Sequence, residues 1–250
     1  MLTEERHAYI IKQLKENGVI KSQEIVRRLN CSESTIRRDL ILLEKAGYLK
    51  RIHGGAKQSY NLDKEQSILE KSVKNVQEKT VIGKYAASLV HKNDFIYIDA
   101  GTTTYEMIPF LQKDVTVATN GVQHASLLAD YQIQSFLIGG MIKHTTKAIV
   151  GATSVNELKK YRFNKAFIGI NGIDNEYGYT TPDPEEATMK QLAIEQSAKA
   201  FILADHTKWG KVNFAKVCDI DEVTLVTDKL TKSQNRKELE NATILEAMSS

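Results

Sequence analysis

Cysteine, proline and tryptophan are scarce in this chain, which carries two, three and one of them in 250 residues. Cys31 and Cys218 lie far apart, so they build neither a disulfide framework nor a CxxC metal site, and both are expected to be plain thiols. No stretch approaches the roughly eighteen apolar residues of a membrane span, and the opening Met1-Leu2-Thr3-Glu4-Glu5-Arg6 lacks the basic-then-apolar layout of a signal peptide. The expectation is a cytoplasmic protein with no membrane partner. His7, His53, His91, His124, His144 and His206 show no metal-ligand spacing. No Gly-x-Ser-x-Gly elbow or Cys/His pairing offers a nucleophile. Neither a metal nor a cofactor is expected.

Charge of one sign is also lacking overall, the net value being +3, but it is unevenly spread. Residues 1–60 hold twelve Lys and Arg against seven Asp and Glu, a local +5, which leaves −2 for the remainder. A phosphate backbone attracts cations without regard to sequence, so the first sixty residues are the place to look for a nucleic-acid partner.

Periodicity sharpens this reading. Ile10, Ile11 and Leu14 repeat at helical spacing behind a Thr3 cap and an acidic first turn, and Asn17-Gly18 closes that helix. Ser22 opens a second helix of about nine residues with Ile25, Val26 and Leu29 as its stripe, ending at Asn30-Cys31. A short turn leads to a third helix in which Ile36, Leu40 and Leu43 face inward and Ser34, Thr35, Arg37 and Arg38 face elsewhere. Gly47 is the expected stop, and Tyr48 to Lys57 read as strand, Gly54-Gly55 turn and return. Asp39 is expected to pair with a neighbouring arginine.

Two short helices, a longer helix bearing Arg and Ser/Thr, and a basic hairpin form the layout of a winged helix-turn-helix. Singly, Arg37-Arg38 reads as a solvated face and Lys50-Arg51 as a charged turn. Jointly they point to double-stranded operator DNA, with Ser22, Ser32, Ser34, Thr35, Arg37, Arg38, Lys50, Arg51 and His53 as candidate contacts. Ser32-Glu33-Ser34-Thr35-Ile36-Arg37-Arg38-Asp39-Leu40, with Lys50-Arg51-Ile52-His53-Gly54-Gly55-Ala56, resembles the DeoR family of bacterial sugar-catabolism regulators.

Residues 1–57 are therefore expected to be the DNA-binding domain, 58–80 a polar and partly helical linker, and 81–250 a sensor domain. Beyond residue 81, helical segments alternate with apolar runs at 95–98, 115–118, 136–138, 166–170, 200–203 and 223–226. That alternation predicts an α/β domain with a mostly parallel sheet. Ligands of such sheets sit at the carboxyl ends of the strands. Those ends read Asp99-Ala100-Gly101-Thr102-Thr103-Thr104, Thr119-Asn120-Gly121, Gly139-Gly140, Asn171-Gly172 and Asp205, a polar crevice suited to a small phosphorylated sugar. Gly101 permits close backbone approach, and Thr102-Thr103-Thr104 start a helix whose positive end suits a phosphate. A Gly-Thr turn taken alone reads as a helix cap before a ligand site, and the five polar strand ends together reverse that order.

Pro182 and Pro184 fix the start of a later helix in which Glu186 and Lys190 stand four apart. Two readings stay open: a surface ion pair, or a Lys190 turned into the crevice toward the ligand's phosphate. Lys143 to Lys147 and Asp205 to Trp209 are candidates for the crevice rim.

The series Asp99-Ala100-Gly101-Thr102-Thr103, Thr119-Asn120-Gly121, Gly139-Gly140, Asn171-Gly172 and Glu186-x-x-x-Lys190 resembles the DeoR-type sensor domain. The resemblance implies a fold related to ribose-phosphate isomerases and CoA transferases. It implies a pocket made from Thr102, Thr103, Asn120, Gly140, Asn171 and Lys190, with Asp99, Thr104 and Gly139 beside them. Isomerases of that fold carry Asp-Gly-x-Asp where this chain has Asn171-Gly172-Ile173-Asp174. An amide cannot transfer a proton, so a sensor and not an enzyme is expected.

Within the family, Tyr97 to Thr104 and Thr181 to Ala187 resemble fructose-operon repressors, which implies fructose 1-phosphate as effector. A ligand-controlled repressor leads over two alternatives, a DNA-tethered sugar isomerase and an activator with a vestigial sensor. A repeated half-site implies a homo-oligomer, a dimer or tetramer.

Overall fold

The computed structural model describes residues 2–46, 48–58, 67–230 and 242–247. It divides into two compact units, Met1–Leu62 and Asp63–Ser250.

The first unit begins with α1 (Thr3–Asn17), whose cap position is Leu2 and not Thr3. Glu5 explains the difference, because its Oε2 accepts the Leu2 backbone N–H at 2.8 Å and so closes the first turn one residue earlier. Gly18 ends the helix at φ 68°, donating to the Leu14 carbonyl at 2.8 Å. β1 (Val19–Lys21) follows, and then α2 (Ser22–Leu29), which stops at Asn30 in the left-handed region. α3 (Glu33–Lys45) is capped by Ser32, whose Oγ accepts from the Thr35 N–H at 3.2 Å. It closes at Lys45, with the Ala46 N–H on the Leu42 carbonyl at 3.0 Å. Gly47, the expected stop, lies outside the described residues.

β2 (Leu49–Ile52) and β3 (Gly55–Gln58) make the expected hairpin, with Gly54 at φ 78° in its turn. β1 pairs with β3, so the wing is a three-stranded antiparallel sheet in the order β1-β3-β2. Ile10, Leu14, Ile20, Ile25, Ile36, Leu40, Leu43, Leu49 and Ala56 form one buried cluster, which joins all three helices to the wing.

The second unit opens with α4 (Ile68–Ser72), inside the stretch 58–80 expected to be a partly helical linker, and α5 (Val76–Ser88), which starts in that stretch and runs beyond it. Then come β4 (Phe95–Ile98), α6 (Thr102–Tyr105), β5 (Thr116–Thr119), α7 (Val122–Asp130), β6 (Gln134–Leu137), β7 (Met141–Ile142) and β8 (Ile149–Val150). α8 (Ala152–Leu158), β9 (Phe163–Gly169), β10 (Gly172–Asp174), β11 (Gly178–Thr181), α9 (Pro184–Glu195), β12 (Ser197–Leu203), β13 (Ala215–Cys218), β14 (Thr224–Thr227) and β15 (Thr243–Glu246) complete it.

Seven of these strands form one sheet, in the order β15-β14-β12-β9-β4-β5-β6, with every neighbouring pair parallel. All six apolar runs seen in the sequence fall in it. Both faces are covered, as a parallel sheet requires. Along β4, Ile96 and Ile98 enter one apolar cluster and Tyr97 the other. The chain reverses its direction of growth between β4 and β9, so the carboxyl ends of those two strands flank an open crevice.

A smaller antiparallel sheet, β10-β11-β13, lies beyond β9, and β7 pairs with β8. Gly178 starts β11 at φ 70°, and a Cβ there would meet the Cys218 carbonyl oxygen at 2.3 Å. Gly178→Ala is therefore expected to lower stability by about 1–3 kcal/mol, the usual size of enforced backbone strain, read as a lower melting temperature. An unchanged melting temperature would show that this turn relaxes freely.

Candidate functional site

On the first unit, Arg37 and Arg38 project from α3 into solvent, as do Ser32 and Ser34 at its start. Ser32 Oγ is within 2.8 Å of both Ser34 Oγ and Thr35 Oγ1, so the cap also ties these hydroxyls into one cluster. Asp39, expected to orient a neighbouring arginine, does not face that way. It is buried, and its carboxylate takes Arg6 Nε at 2.8 Å, Arg6 Nη2 at 3.1 Å and His7 Nε2 at 3.2 Å. Helix periodicity is the reason: position 39 follows 36 by three and so shares the inward face with Ile36, where α1 supplies its partners. Asp39 thus clamps α1 onto α3, and its hydrogen bond raises the Arg6 pKa.

Lys50, Arg51 and His53 are exposed on the wing. Arg51 is already engaged, with Nε 2.7 Å from Glu44 Oε2 and its backbone N–H 2.8 Å from Glu44 Oε1. These two bonds, the backbone one foremost, hold the Glu44 carboxyl below its usual range. Ser22 is half-buried and sends its backbone N–H to the Gly54 carbonyl at 2.8 Å, joining the start of α2 to the wing turn.

In the second unit a cavity opens at the β4/β9 switch point, lined by Gly101, Thr102, Thr103, Asn171 and Lys190 from the expected set. Gly101 and Gly169 meet back to back, since a Cβ on Gly101 would lie 3.3 Å from the Gly169 Cα. Asp99 sits beneath them, accepting the Gly169 N–H at 3.1 Å and Lys190 Nζ at 2.5 Å. Lys190 is buried, so it is no surface partner of Glu186. It turns into the crevice and meets a carboxylate there. Asn171 Oδ1 accepts the Thr181 hydroxyl at 3.1 Å, which fixes the amide at the wall.

Four other expected residues stand outside this lining. Asn120 is buried and spends its amide on the Ala100 N–H at 3.1 Å and the Ile149 carbonyl at 3.1 Å. Thr104 is buried under the turn, its hydroxyl 2.6 Å from the Asp99 carbonyl. Gly139 and Gly140 pack on α8: Glu157 accepts the Gly139 N–H at 2.7 Å, and a Cβ on Gly140 would strike Ser154 Oγ at 2.1 Å.

Lys71, Thr146, Glu186 and Lys208 line the cavity without having been picked from the sequence as ligand contacts. Lys71 belongs to α4, in the stretch expected to be linker. Thr146 and Lys208 come from the two segments expected at the rim. Glu186 is buried and accepts the Thr146 hydroxyl at 2.7 Å and Lys143 Nζ at 3.0 Å, while Lys143 also reaches Asp183 at 2.8 Å. Burial works to raise the Glu186 pKa, but Lys190, Lys143 and the Thr146 hydroxyl outweigh it and hold the carboxyl below its usual range.

α6 is only four residues long, too short for a useful dipole, so the positive character of this cavity rests on the lysines. Ile68 and Thr102 are shared with a neighbouring cavity of about 150 Å³, lined also by Tyr105, Glu106 and Gln123.

His124 was read from the sequence as one of six histidines without a metal. It is buried behind α6, with Nε2 3.0 Å from the Gly101 carbonyl and 3.2 Å from Thr104 Oγ1. Burial, with Lys190 adding to it, lowers its pKa to about 4 against the opposing Gly101 bond. The unfolded chain binds this proton first, near the ordinary histidine value, so stability is full above about pH 6.5 and falls as pH drops toward 4. A shift of this size corresponds to about 3 kcal/mol across that window. His124→Asn should flatten the dependence in urea melts at pH 7, 6 and 5. Equal slopes for variant and wild type would show that His124 is not the titrating group.

The DeoR-like helix-turn-helix domain matches residues 6–60, and the DeoR C terminal sensor domain matches residues 74–229. The chain belongs to the DeoR family. As a DeoR-family protein it is a transcriptional regulator that pairs a DNA-binding helix-turn-helix with a sensor. It is 48% identical over 229 residues to the uncharacterized HTH-type transcriptional regulator FruR of Bacillus subtilis (strain 168), covering 91% of each chain. It is 38% identical over 231 residues to the lactose phosphotransferase system repressor of Staphylococcus aureus (strain NCTC 8325 / PS 47), covering 89% of this chain and 90% of that one. Ribose 5 phosphate isomerase A of Neisseria gonorrhoeae matches at 18% identity and a TM-score of 0.40, over 52% of each chain. Among the described residues no helix is long and apolar enough to cross a membrane, and no group of three His, Cys, Asp or Glu side chains is placed to hold a metal.

Proposed function

We propose that this DeoR-family regulator represses a sugar-catabolism operon, reads its operator as a dimer or tetramer through α3 and the wing, and lets go when a phosphorylated sugar enters the sensor cavity. The observation that carries the reading is the convergence of Lys71, Lys190 and Lys208, from three separate elements, on one polar cavity at the switch point of the sheet. A phosphate dianion suits such a set, since each ammonium gains a charge-assisted bond. Asn171, Thr102 and Thr103 supply hydrogen bonds for hydroxyls beside it.

The resemblance of Tyr97 to Thr104 and Thr181 to Ala187 to fructose-operon repressors favours fructose 1-phosphate. Two observations count against the isomerase alternative. Asn171 has no titrating group to act as acid or base, and Asp174 of the same motif accepts the Glu176 and Tyr177 N–H groups at 2.9 and 3.1 Å. Glu186, the carboxylate that does line the cavity, is held as an anion by Lys190 and Lys143, which makes it a weak base.

The deciding experiment measures the protein's affinity for DNA upstream of its own operon at fixed salt, with fructose 1-phosphate, fructose or nothing added. Loss of binding with the phosphorylated sugar alone is the expected result. Indifference to every phosphorylated sugar would favour an activator with a vestigial sensor, and turnover of any of them would favour the enzyme.

A further inference from the structure

β6 is the outer strand of the seven-stranded sheet, bonded to β5 on one side only among the described residues. Open edges are normally blunted by Lys, Pro or a bulge, because unpaired N–H and C=O groups invite another strand. This edge has none of these. Residues 131–142 contain no Asp, Glu, Lys, Arg or His, in a chain of which 26% is charged.

Two apolar side chains of β6 and two of β7 stand open to solvent. Phe136 is 43% exposed, Leu137 44%, Met141 57% and Ile142 49%. Phe136 is the outermost ring of an aromatic group, with centroids 6.1 Å from Phe95 and 6.3 Å from Tyr161. An exposed aromatic backed by packed rings is a rigid anchor, the composition found at the centre of protein interfaces and not at a solvated edge.

We infer that β6 and the turn into β7 are the surface on which a second copy of this chain docks, edge to edge across a two-fold axis. A two-fold axis sets a patch against itself, so a charge near the axis would face its like; an uncharged strand meets that condition. Reading a repeated half-site needs two copies, and this choice of occupant is the one point that rests on the proposed function.

The test compares the mass of the full chain by sedimentation at micromolar concentration with that of Phe136→Lys and Phe136→Glu. Each variant alone is expected to sediment as a smaller species, and an equal mixture of the two to recover the wild-type mass through opposite charges. Met141→Lys, in a side chain open to solvent, guards against misfolding at Phe136, with circular dichroism melts on every variant. Wild-type mass in the folded variants, no recovery on mixing, or a wild-type chain that is itself a monomer would overturn the inference. Operator affinity measured separately distinguishes this outcome from failure of the DNA-binding reading.

Discussion

Arg37→Ala is expected to weaken operator binding by roughly tenfold to a hundredfold, the loss that follows when a base contact of about 1–3 kcal/mol is removed. The reasoning starts from the face of α3. Ile36, Leu40 and Leu43 are committed to the core and Asp39 to Arg6, so the turn presents Arg37 and Arg38 outward with the Ser32, Ser34 and Thr35 hydroxyls at its start. A helix laid in the major groove reads bases with such N-terminal residues. Arg51 makes the comparison informative, because Glu44 already neutralises it; Arg51→Ala is expected to cost less. Fluorescence anisotropy on labelled operator at fixed salt checks both, with the ligand-induced thermal shift of the sensor unchanged. Full affinity in Arg37→Ala would remove α3 from the role of recognition helix.

The second large effect is expected at Lys190. Lys190→Met leaves the Asp99 carboxylate buried without its ammonium, and stranding one member of a buried pair typically costs about 3–5 kcal/mol. A protein of this size then melts roughly 10 °C lower. Adding Asp99→Asn removes the stranded charge, so the double variant should recover most of that stability while still failing to bind the phosphorylated sugar. Calorimetry and a ligand titration separate the two roles. Recovery of stability with no recovery of binding makes Lys190 a ligand contact; wild-type ligand affinity in the double variant would reduce it to a strut under the Gly101 turn.

Much of the fold was legible because its signals are local. The inward triplet of α3, the Gly54 turn and the six apolar runs each declare themselves within ten residues, and the structure places every run in the parallel sheet. What escaped was short or non-local. β1 has three residues and one buried side chain, too few for alternation to register. β15 carries half-buried residues at the sheet's far edge, so its pattern is weak.

The cavity was legible where a strand end carries a turn motif, as at Gly101-Thr102-Thr103 and Asn171. Lys71, Thr146 and Lys208 were not legible as lining residues, since nothing next to a lysine in sequence tells which sheet end it will reach. Asn120 and Gly140 present the opposite case, since neither is among the residues that line the cavity. An amide at a strand end also ties backbone together, as Asn120 does, and a glycine there also admits close packing, as Gly140 does against Ser154 and Val150.

The position of α4 bears on how such regulators are recombined. The helix-turn-helix match ends at residue 60 and the sensor match begins at 74, so a chimera joined at residue 74 takes the whole matched sensor segment. Yet Ile68 and Lys71 lie between these limits and line the cavity, with the Ile68 N–H anchored on the Thr145 carbonyl at 2.9 Å. A foreign DNA-reading module spliced on at residue 74 would leave that cavity without part of its wall and without one of the three lysines that line it. A junction that keeps the cavity wall whole has to leave α4 with the sensor.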